Sequence, residues 1–324
     1  RQRCGRAMLP PSGCRSPAAA TTAAVSAYLH EFLSDPRVVQ LPHWLWLPLL
    51  RKVILPRRSP LVAKKYAEVW MHGGSPLAVH TAALADAVGV RLPGWRVQHA
   101  MRYGAPALAD ALQALQAEGV REVRVMPLYP QYSTTTTEPV ADVIAAHRGS
   151  LRVRMLRDYH RDPGWVAAVA ASIRAHWNAH GRGERLLLSF HGLPQRVVDG
   201  GDPYAAQCEA STQAIAAALG IERDAILLAY QSRFGKGKWL QPDVVGVLQG
   251  LARDGVRKVD VACPGFAVDC LETLEEIALQ DAALFRAAGG EALRYIPCLN
   301  AGEAHASALA ALARPLMALA GHWS

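Results

Sequence analysis

Apolar and polar positions follow two alternating patterns from about residue 25 onward. Short apolar runs bounded by turn residues predict strands, and Ala-rich stretches with apolar residues every three or four positions predict helices. Helices are expected through Tyr28 and Phe32 and again over 59–70. Strands are expected at 95–101, 120–126, 151–156, 186–190, 226–230, 256–262 and 293–296. Strands that alternate with helices are typical of parallel α/β sheets.

Two segments repeat each other in register. Gly119-Val-Arg-Glu-Val-Arg-Val125 and Gly255-Val-Arg-Lys-Val-Asp-Val261 share Gly, Val, Arg, Val and Val. We interpret this as a duplication and predict two similar, doubly wound α/β domains with parallel four-stranded sheets. The expected boundaries are an irregular segment over 1–24, a first lobe over 25–148 plus 300–324, and a second lobe over 149–299. The alternative is that the shared pattern only marks a helix end followed by a strand.

The first 24 residues give no strand or helix signal. They contain four Arg, no acid and several Pro-containing turns. An acid-free, Arg-containing start also occurs in organellar transit peptides, but Pro10-Pro11 and Ser16-Pro17 would break the helix such a peptide forms. The second half has a strand at 186–190 whose counterpart would have to lie in this segment. We therefore predict that the first strand of the N-terminal domain is missing and that the chain is less stable as a result.

Composition narrows the class of protein. With 51% apolar and 19% charged residues the chain is not disordered. The longest apolar run, 41–50, is too short to span a bilayer and contains two prolines. The net charge of +8 comes without Lys/Arg blocks interleaved with aromatics, so we expect no nucleic-acid partner. Six cysteines without a C-x-x-C pair argue against a zinc ribbon and favour a reducing, cytoplasmic compartment.

His191 is the first candidate for chemistry. It directly follows the predicted strand 186–190 and precedes Gly-Leu-Pro. Ligands of open α/β sheets bind at the carboxyl ends of strands, and a neutral imidazole there can accept a proton or ligate a metal. The competing interpretation is a hydrogen-bonded structural histidine.

Three carboxylates follow a second strand. Asp269, Glu272 and Glu276 recur at i, i+3 and i+7, so a helix would present them on one face. Such a line can conduct protons or a divalent cation. Asp269 with Glu272 also fits a capping box, the N-cap and N3 residues of a helix. Both interpretations stay open at this stage.

Hydroxyl and aromatic side chains near the other strand ends are less specific. The segment from Tyr129 to Thr137, which includes Ser133, is either a ligand-binding wall or a polar loop before a helix. Trp239, with Trp44 and Trp46, either encloses a flat apolar ligand or packs in the core.

Four ordered blocks together resemble the ferrochelatase family in its bacterial form. They are Ser-Phe-His191-Gly-Leu-Pro, Tyr-Gln231-Ser-Arg-Phe-Gly-x-x-x-Trp239-Leu, Cys263-Pro-Gly-Phe-x-x-Asp269-Cys-Leu-Glu272-Thr-Leu-Glu-Glu276 and Leu128-Tyr-Pro-Gln-Tyr-Ser133. The likeness runs from about residue 25 to about residue 313. It implies a lyase that inserts ferrous iron into protoporphyrin IX, the last step of haem synthesis.

The resemblance also implies roles for individual residues. His191 and Glu272 are expected to be catalytic and to meet the metal, and Asp269 and Glu276 to relay protons or metal. A larger set is expected to bind the porphyrin: Arg58, Tyr66, Arg102, Tyr103, Tyr129, Ser133, Gln231, Ser232, Trp239 and Phe266.

Cofactors and partners follow from the same resemblance. Ferrous iron and protoporphyrin IX are expected as substrates, with no resident cofactor. An iron–sulfur cluster is not expected, because Thr134 follows Ser133 and no Cys follows Cys298. Residues 41–50 are expected to form an apolar lip in peripheral contact with the inner membrane surface or with the preceding pathway enzyme.

Two features keep other functions open. Residues 1–24 contain nothing like the family's opening Leu-Leu-Val-Asn-Leu-Gly-Thr-Pro, and Cys270 stands where some members have His. The alternatives are a catalytically impaired chelatase or porphyrin-binding module, and a chelatase for another tetrapyrrole, such as coproporphyrin, or another metal.

Overall fold

A computed structural model describes residues 6–12, 16–35, 39, 41–233, 235 and 237–314 of the chain. Its strands are β1 (Arg6–Leu9), β2 (Pro11–Ser12), β3 (Arg96–Val97), β4 (Ala100–Met101), β5 (Glu122–Val125), β6 (Arg152–Met155), β7 (Arg185–His191), β8 (Ile226–Gln231), β9 (Lys258–Ala262) and β10 (Ala292–Ile296). Its α-helices are α1 (Thr22–Leu33), α2 (His43–Leu49), α3 (Leu55–Val69), α4 (Pro76–Arg91), α5 (Leu108–Ala117), α6 (Thr137–His147), α7 (Pro163–His180), α8 (Gln195–Asp199), α9 (Tyr204–Leu219), α10 (Val244–Arg253), α11 (Ala282–Ala287) and α12 (Glu303–Ala313). Two π-helical segments, Leu50–Ile54 and Glu272–Asp281, precede α3 and α11, and a 3₁₀ turn, Arg223–Ala225, precedes β8.

The strands form two four-stranded parallel sheets and one two-stranded sheet, β2-β4. The orders of the larger sheets are β3-β1-β5-β6 and β10-β9-β7-β8. All seven strands expected from the sequence are present, the first of them as the separate strands β3 and β4. The prediction of two similar parallel α/β domains is confirmed.

The prediction that the first strand is missing is wrong. β1 lies between β3 and β5, and it is parallel to both. Its side chains are buried on both faces of the sheet, because Met8 packs in one hydrophobic core while Ala7 and Leu9 pack in another. The short run Ala7-Met-Leu9, bounded by Arg6 and Pro10-Pro11, carried too little pattern to be recognised. The destabilisation expected from a missing strand therefore loses its basis.

The predicted domain boundaries also need correction. β6 pairs with β5 in the first sheet, so the first lobe extends past 148 at least to Met155. Residues 6–9 and 22–24 belong to β1 and α1 rather than to an irregular segment. α12 packs on both α4 and α7, so the described part of 300–324 contacts both lobes.

The first lobe carries an exposed apolar surface over a small core of its own. α2, the first π-helical segment and α3 pack on α1, with Trp46, Leu50 and Tyr66 buried in that small core. Large apolar side chains stay exposed on the outside, at Leu41, Trp44, Leu45, Leu49 and Leu61; the Trp44 ring is 75% exposed. We call these five residues the lip. Within the described part of the chain, no helix combines the length and the apolar character needed to cross a bilayer.

Candidate active site

His191 ends β7, a central strand of the second sheet. Its ring lies 6.3 Å, centroid to centroid, from the buried ring of Phe266. His191 Nδ1 is 2.7 Å from the carbonyl oxygen of Gly192. A carbonyl can only accept, so Nδ1 carries the hydrogen, and a neutral ring then keeps Nε2 as its acceptor.

The residue after His191 is Gly192, and the backbone at this position is so closely packed that a side chain would not fit. A Cβ at this position would lie 2.7 Å from the carbonyl oxygen of Gln231 and 3.4 Å from the Trp239 ring. Trp239 is held against this loop by the pairing of Pro194 with Trp239. The strand end, the His-Gly pair and the indole therefore form one wall.

Glu272 and Glu276 lie on the second π-helical segment, in which hydrogen bonds run from i to i+5. The loop after β8 holds this segment. Gln231 Nε2 donates to the carbonyl oxygen of Glu272 (2.8 Å), and Ser232 donates to the Glu276 carboxylate from its backbone N (2.7 Å) and its Oγ (2.5 Å). Burial raises the pKa of Glu276 against the opposing effect of Ser232. Ser232 has φ 64°, a conformation that costs a non-glycine residue energy and that these two bonds hold in place.

Asp269 does not form the predicted capping box. Its backbone N donates to Asn300 Oδ1, and its buried carboxylate accepts from Tyr295 OH (2.5 Å), Asn300 Nδ2 (2.7 Å), Cys298 N (3.2 Å) and Thr273 Oγ1 (3.2 Å). In a capping box the backbone N of Asp269 would donate to the side chain of Glu272. The corresponding bond here lies one residue later, from Cys270 N to Thr273 Oγ1. The carboxylate of Asp269 therefore ties the start of the π-helical segment to the loop after β10.

Two acids that the sequence analysis missed continue the carboxylate line. Burial, with Glu276 and Glu275 nearby, raises the pKa of Asp281 to about 7. Glu275 is buried and accepts from Lys65 Nζ on α3 at 2.8 Å. Both acids interrupt an apolar helix pattern, and this interruption was the only sign of them in the sequence. Their burial could not be predicted, because it depends on the π-helical register of the segment.

Arg58 and Tyr66 lie on α3 in the first lobe. Burial lowers the pKa of Arg58. The Tyr66 ring is buried edge-on against Trp70, and burial together with Tyr28 and Glu272 raises the pKa of its hydroxyl. Leu271 packs in the same core, so α3 touches the start of the carboxylate-bearing segment. The helix that carries Arg58 and Tyr66 thus packs directly against the segment that carries Glu272 and Glu276.

Arg102 and Tyr103 contact each other and Asp35. Arg102 Nη2 and Tyr103 OH both donate to Asp35 Oδ2, at 2.9 and 2.5 Å, and the guanidinium lies 4.3 Å from the centre of the Tyr103 ring. Arg102 Nε also donates to the carbonyl oxygen of Pro139. These contacts tie α1 to the loop after β4.

Tyr129 and Ser133 follow β5. Tyr129 is half-buried, whereas Ser133 is fully buried and its hydroxyl donates to Asp202 Oδ2 at 2.9 Å. Gln231 is also buried, and its Oε1 accepts from Ser189 Oγ at 2.6 Å. Several predicted porphyrin contacts thus have their polar atoms engaged within the protein.

Among the described residues, no three His, Cys, Asp or Glu side chains are close enough together to hold a metal ion. His191 and Glu272 therefore do not form a ready-made metal cage.

The overall architecture is the two-domain chelatase fold. SirB of Bacillus subtilis, solved with Fe3+, matches with a TM-score of 0.53 at 14% identity, covering 74% of this chain and 90% of SirB. A multidomain protein of Deinococcus radiodurans, described as structurally similar to chelatases, matches with a TM-score of 0.53 at 19% identity, covering 78% of this chain and 55% of that protein.

The particular family follows from sequence. The ferrochelatase family model matches residues 16–316, and the chain belongs to this family of lyases. Ferrochelatases of Xylella fastidiosa (strain M12) and Xanthomonas axonopodis pv. citri are each 56% identical over 302 residues, covering 92% of this chain and 94% and 95% of those proteins. A ferrochelatase of Azoarcus is 48% identical over 315 residues, covering 95% of this chain and 86% of that protein.

Proposed function

We propose that this chain inserts ferrous iron into protoporphyrin IX with His191 as the base at the metal-insertion point. The chain is a porphyrin metal chelatase that supplies haem synthesis. The observation that carries the assignment of His191 is its place at the end of a buried central strand, with Nδ1 held by the Gly192 carbonyl. That hydrogen bond leaves Nε2 of a neutral ring as the proton acceptor.

The reaction exchanges two pyrrole N–H protons for one Fe2+ ion, so two protons must leave the porphyrin. We assign the first transfer to His191 Nε2. Glu272 is the first carboxylate of the line, and Glu276 and Asp281 continue it. Burial raises the pKa of Glu276, and it raises the pKa of Asp281 to about 7, so protons bind more tightly along this line than at exposed carboxylates, which supports this route. The four hydrogen bonds that Asp269 accepts support a bracing role for that residue instead of the relay role expected earlier.

The porphyrin-binding wall falls into two groups. Arg58, Tyr129, Trp239 and Phe266 are proposed to contact the macrocycle, with the Arg58 guanidinium pairing with a propionate. Six further residues are proposed to shape the wall through hydrogen bonds and ring contacts within the protein: Tyr66, Arg102, Tyr103, Ser133, Gln231 and Ser232.

The lip is proposed to rest in the surface of a membrane, from which the apolar porphyrin enters. Trp44 and Leu45 are exposed, and Arg51, Lys52 and Arg57 lie exposed just beyond them. Exposed apolar side chains beside basic ones suit the boundary of an anionic bilayer. The compartment we propose is the cytoplasm, with contact at the inner membrane surface.

We further propose that the chain holds no iron–sulfur cluster. Burial raises the pKa values of Cys208, Cys263 and Cys298, which disfavours the thiolate that a cluster requires. The purified protein should show no visible absorption from a cluster.

The test of the proposed function is an anaerobic assay. Protoporphyrin IX is titrated against the protein by absorption, ferrous iron is added, and haem formation is followed; coproporphyrin is run in parallel. We expect binding of protoporphyrin and conversion to haem. Binding without conversion would indicate a porphyrin-binding module, and conversion of coproporphyrin alone would indicate a different tetrapyrrole substrate.

A further inference from the structure

The segment from Gln131 to Thr134 in the first lobe makes several hydrogen bonds to the second lobe. Gln131 Nε2 donates to Ser211 Oγ at 2.9 Å, and Tyr132 N donates to Gln207 Oε1 at 2.7 Å. Ser211 and Gln207 lie on α9. The segment that follows Tyr129 is therefore located by contacts with the opposite lobe.

Asp202 makes the densest of these contacts. Its side chain is buried, and Oδ2 accepts three bonds from the first lobe: Ser133 Oγ (2.9 Å), Thr134 N (2.7 Å) and Thr134 Oγ1 (2.7 Å). Oδ1 accepts from Tyr204 N at 2.9 Å, at the start of α9. No ion pair among the described residues includes Asp202, so its buried charge is stabilised by hydrogen-bond donors, most of them in the other lobe.

Asp202 and its partners both lie on chain segments that begin at candidate active-site residues. Asp202 lies on the connection that leaves β7 at His191 and passes through α8. Ser133 and Thr134 lie on the connection that leaves β5 and carries Tyr129. A short bond network between the two connections fixes how far the Tyr129 wall lies from His191.

We propose that Asp202 is a positioning residue that sets the width of the porphyrin cleft by joining these two connections. The proposal rests on the proposed function. The bonds from Gln131 and Tyr132 to α9 do not involve Asp202 and keep the lobes docked without it. Loss of Asp202 should therefore loosen the wall while the fold is retained.

The experiment compares Asp202→Ala, Asp202→Asn and a matched control, Asp162→Ala. Asp162 also accepts a backbone hydrogen bond at a helix start, from Trp165 N at 2.8 Å, but its carboxylate does not bond the 131–134 segment. The melting temperature of each variant is measured first, and the porphyrin dissociation constant, KM and kcat for iron insertion are then measured well below it.

We expect Asp202→Ala to raise the porphyrin KM and lower kcat, with kcat/KM reduced about 10- to 100-fold, because a displacement of about 1 Å has effects of that size. Asp202→Asn should recover part of the loss, since its amide oxygen still accepts from Thr134 N. Asp162→Ala should lower the melting temperature and leave kcat/KM within about twofold.

Three outcomes would overturn the proposal: unchanged KM and kcat in Asp202→Ala, an equal kinetic loss in Asp162→Ala, or no recovery in Asp202→Asn. Should Asp202→Ala fail to fold, Thr134→Val removes one of the three bonds and should raise the porphyrin KM; an unchanged KM would count against the proposal. A wild-type chain that makes no haem would instead refute the proposed function.

Discussion

The two lobes share a strand order but differ in how firmly each supports its part of the cleft. The four strands of the second sheet have five to seven residues, and β7 and β8 end at His191 and Gln231. The strands of the first sheet have two to four residues, and its connections carry the lip and the segment from Tyr129 to Thr137. The second lobe therefore presents His191 and Gln231 at the ends of its longest strands, whereas the first lobe presents an exposed apolar surface.

The difference implies a division of labour. We propose that the groups that take protons or meet iron come from β7 and the π-helical segment of the second lobe. We propose that the lip on α2 and α3 admits the macrocycle, that Arg58 and Tyr129 of the first lobe hold it, and that Trp239 and Phe266 of the second lobe complete the wall. Variants in the second lobe should therefore change the rate of metal insertion, and variants in the first should change porphyrin capture.

The largest expected effect within the carboxylate line is at Glu272. Glu272→Gln should lower metal insertion at saturating porphyrin about 100-fold, because an amide neither takes a proton nor carries the charge that attracts Fe2+. The porphyrin dissociation constant should stay within about threefold. Glu291→Gln, which changes an exposed partner of Lys258, is the control. Intact insertion with a lowered melting temperature in Glu272→Gln would make this carboxylate structural.

Asp269 should behave differently from its neighbour on the same line. Asp269→Ala leaves four donors without their acceptor, and each buried orphan costs about 1–3 kcal/mol, so we expect about 3 kcal/mol or more of lost stability. Loss of the cap at Asp162, which is half-buried, should cost only about 1 kcal/mol. Denaturant unfolding measures both, and equal losses would contradict the bracing role.

Asp281 makes stability depend on pH. Its pKa is about 7 in the folded chain against an ordinary value of 3.8, so the folded state holds its proton more tightly than the unfolded state does. The free energy of unfolding should therefore fall as pH rises from about 4 to 7 and then level off, by up to about 4 kcal/mol. Asp281→Asn should flatten that decline, whereas the exposed-site control Asp254→Asn should keep it. An unchanged slope in Asp281→Asn would mean that other groups cause it.

The smallest effect on chemistry should come from the lip. Trp44→Ser should weaken binding to anionic lipid vesicles about tenfold, an energy of about 1.4 kcal/mol, without changing insertion from detergent-dispersed porphyrin. Val90, an exposed apolar residue on α4, gives the matched control Val90→Ser. Equal vesicle binding by the two variants would remove the membrane role from the lip.

The sequence predicted the sheets well where strands were long. β7 and β8 each present at least six residues of continuous pattern, and both were located to within a residue or two. β1 was missed because three apolar residues between Arg6 and two prolines do not suffice to predict a strand. The position of β1 in the sheet depends on its neighbours, which pair with it on both sides and bury both of its faces.

The site was predicted in part. Strand ends and ordered blocks pointed to His191 and Glu272, since both features are local in sequence. Asp202 was missed because Gly-Gly-Asp-Pro before a helix is typical of an ordinary turn and helix start. Its partners, Ser133 and Thr134, lie almost 70 residues away in the chain, and no local pattern indicates a contact between lobes.

The division of labour is tested most directly by two single variants measured side by side. His191→Ala and Arg58→Ala are each titrated with protoporphyrin, and the maximal rate of iron insertion is measured on the same samples. We predict that His191→Ala loses about 10²- to 10⁴-fold in rate while its porphyrin dissociation constant stays within about threefold. Arg58→Ala should raise that constant about tenfold and keep most of the rate. Near-normal insertion by His191→Ala, or the same parameter changing in both variants, would contradict the account.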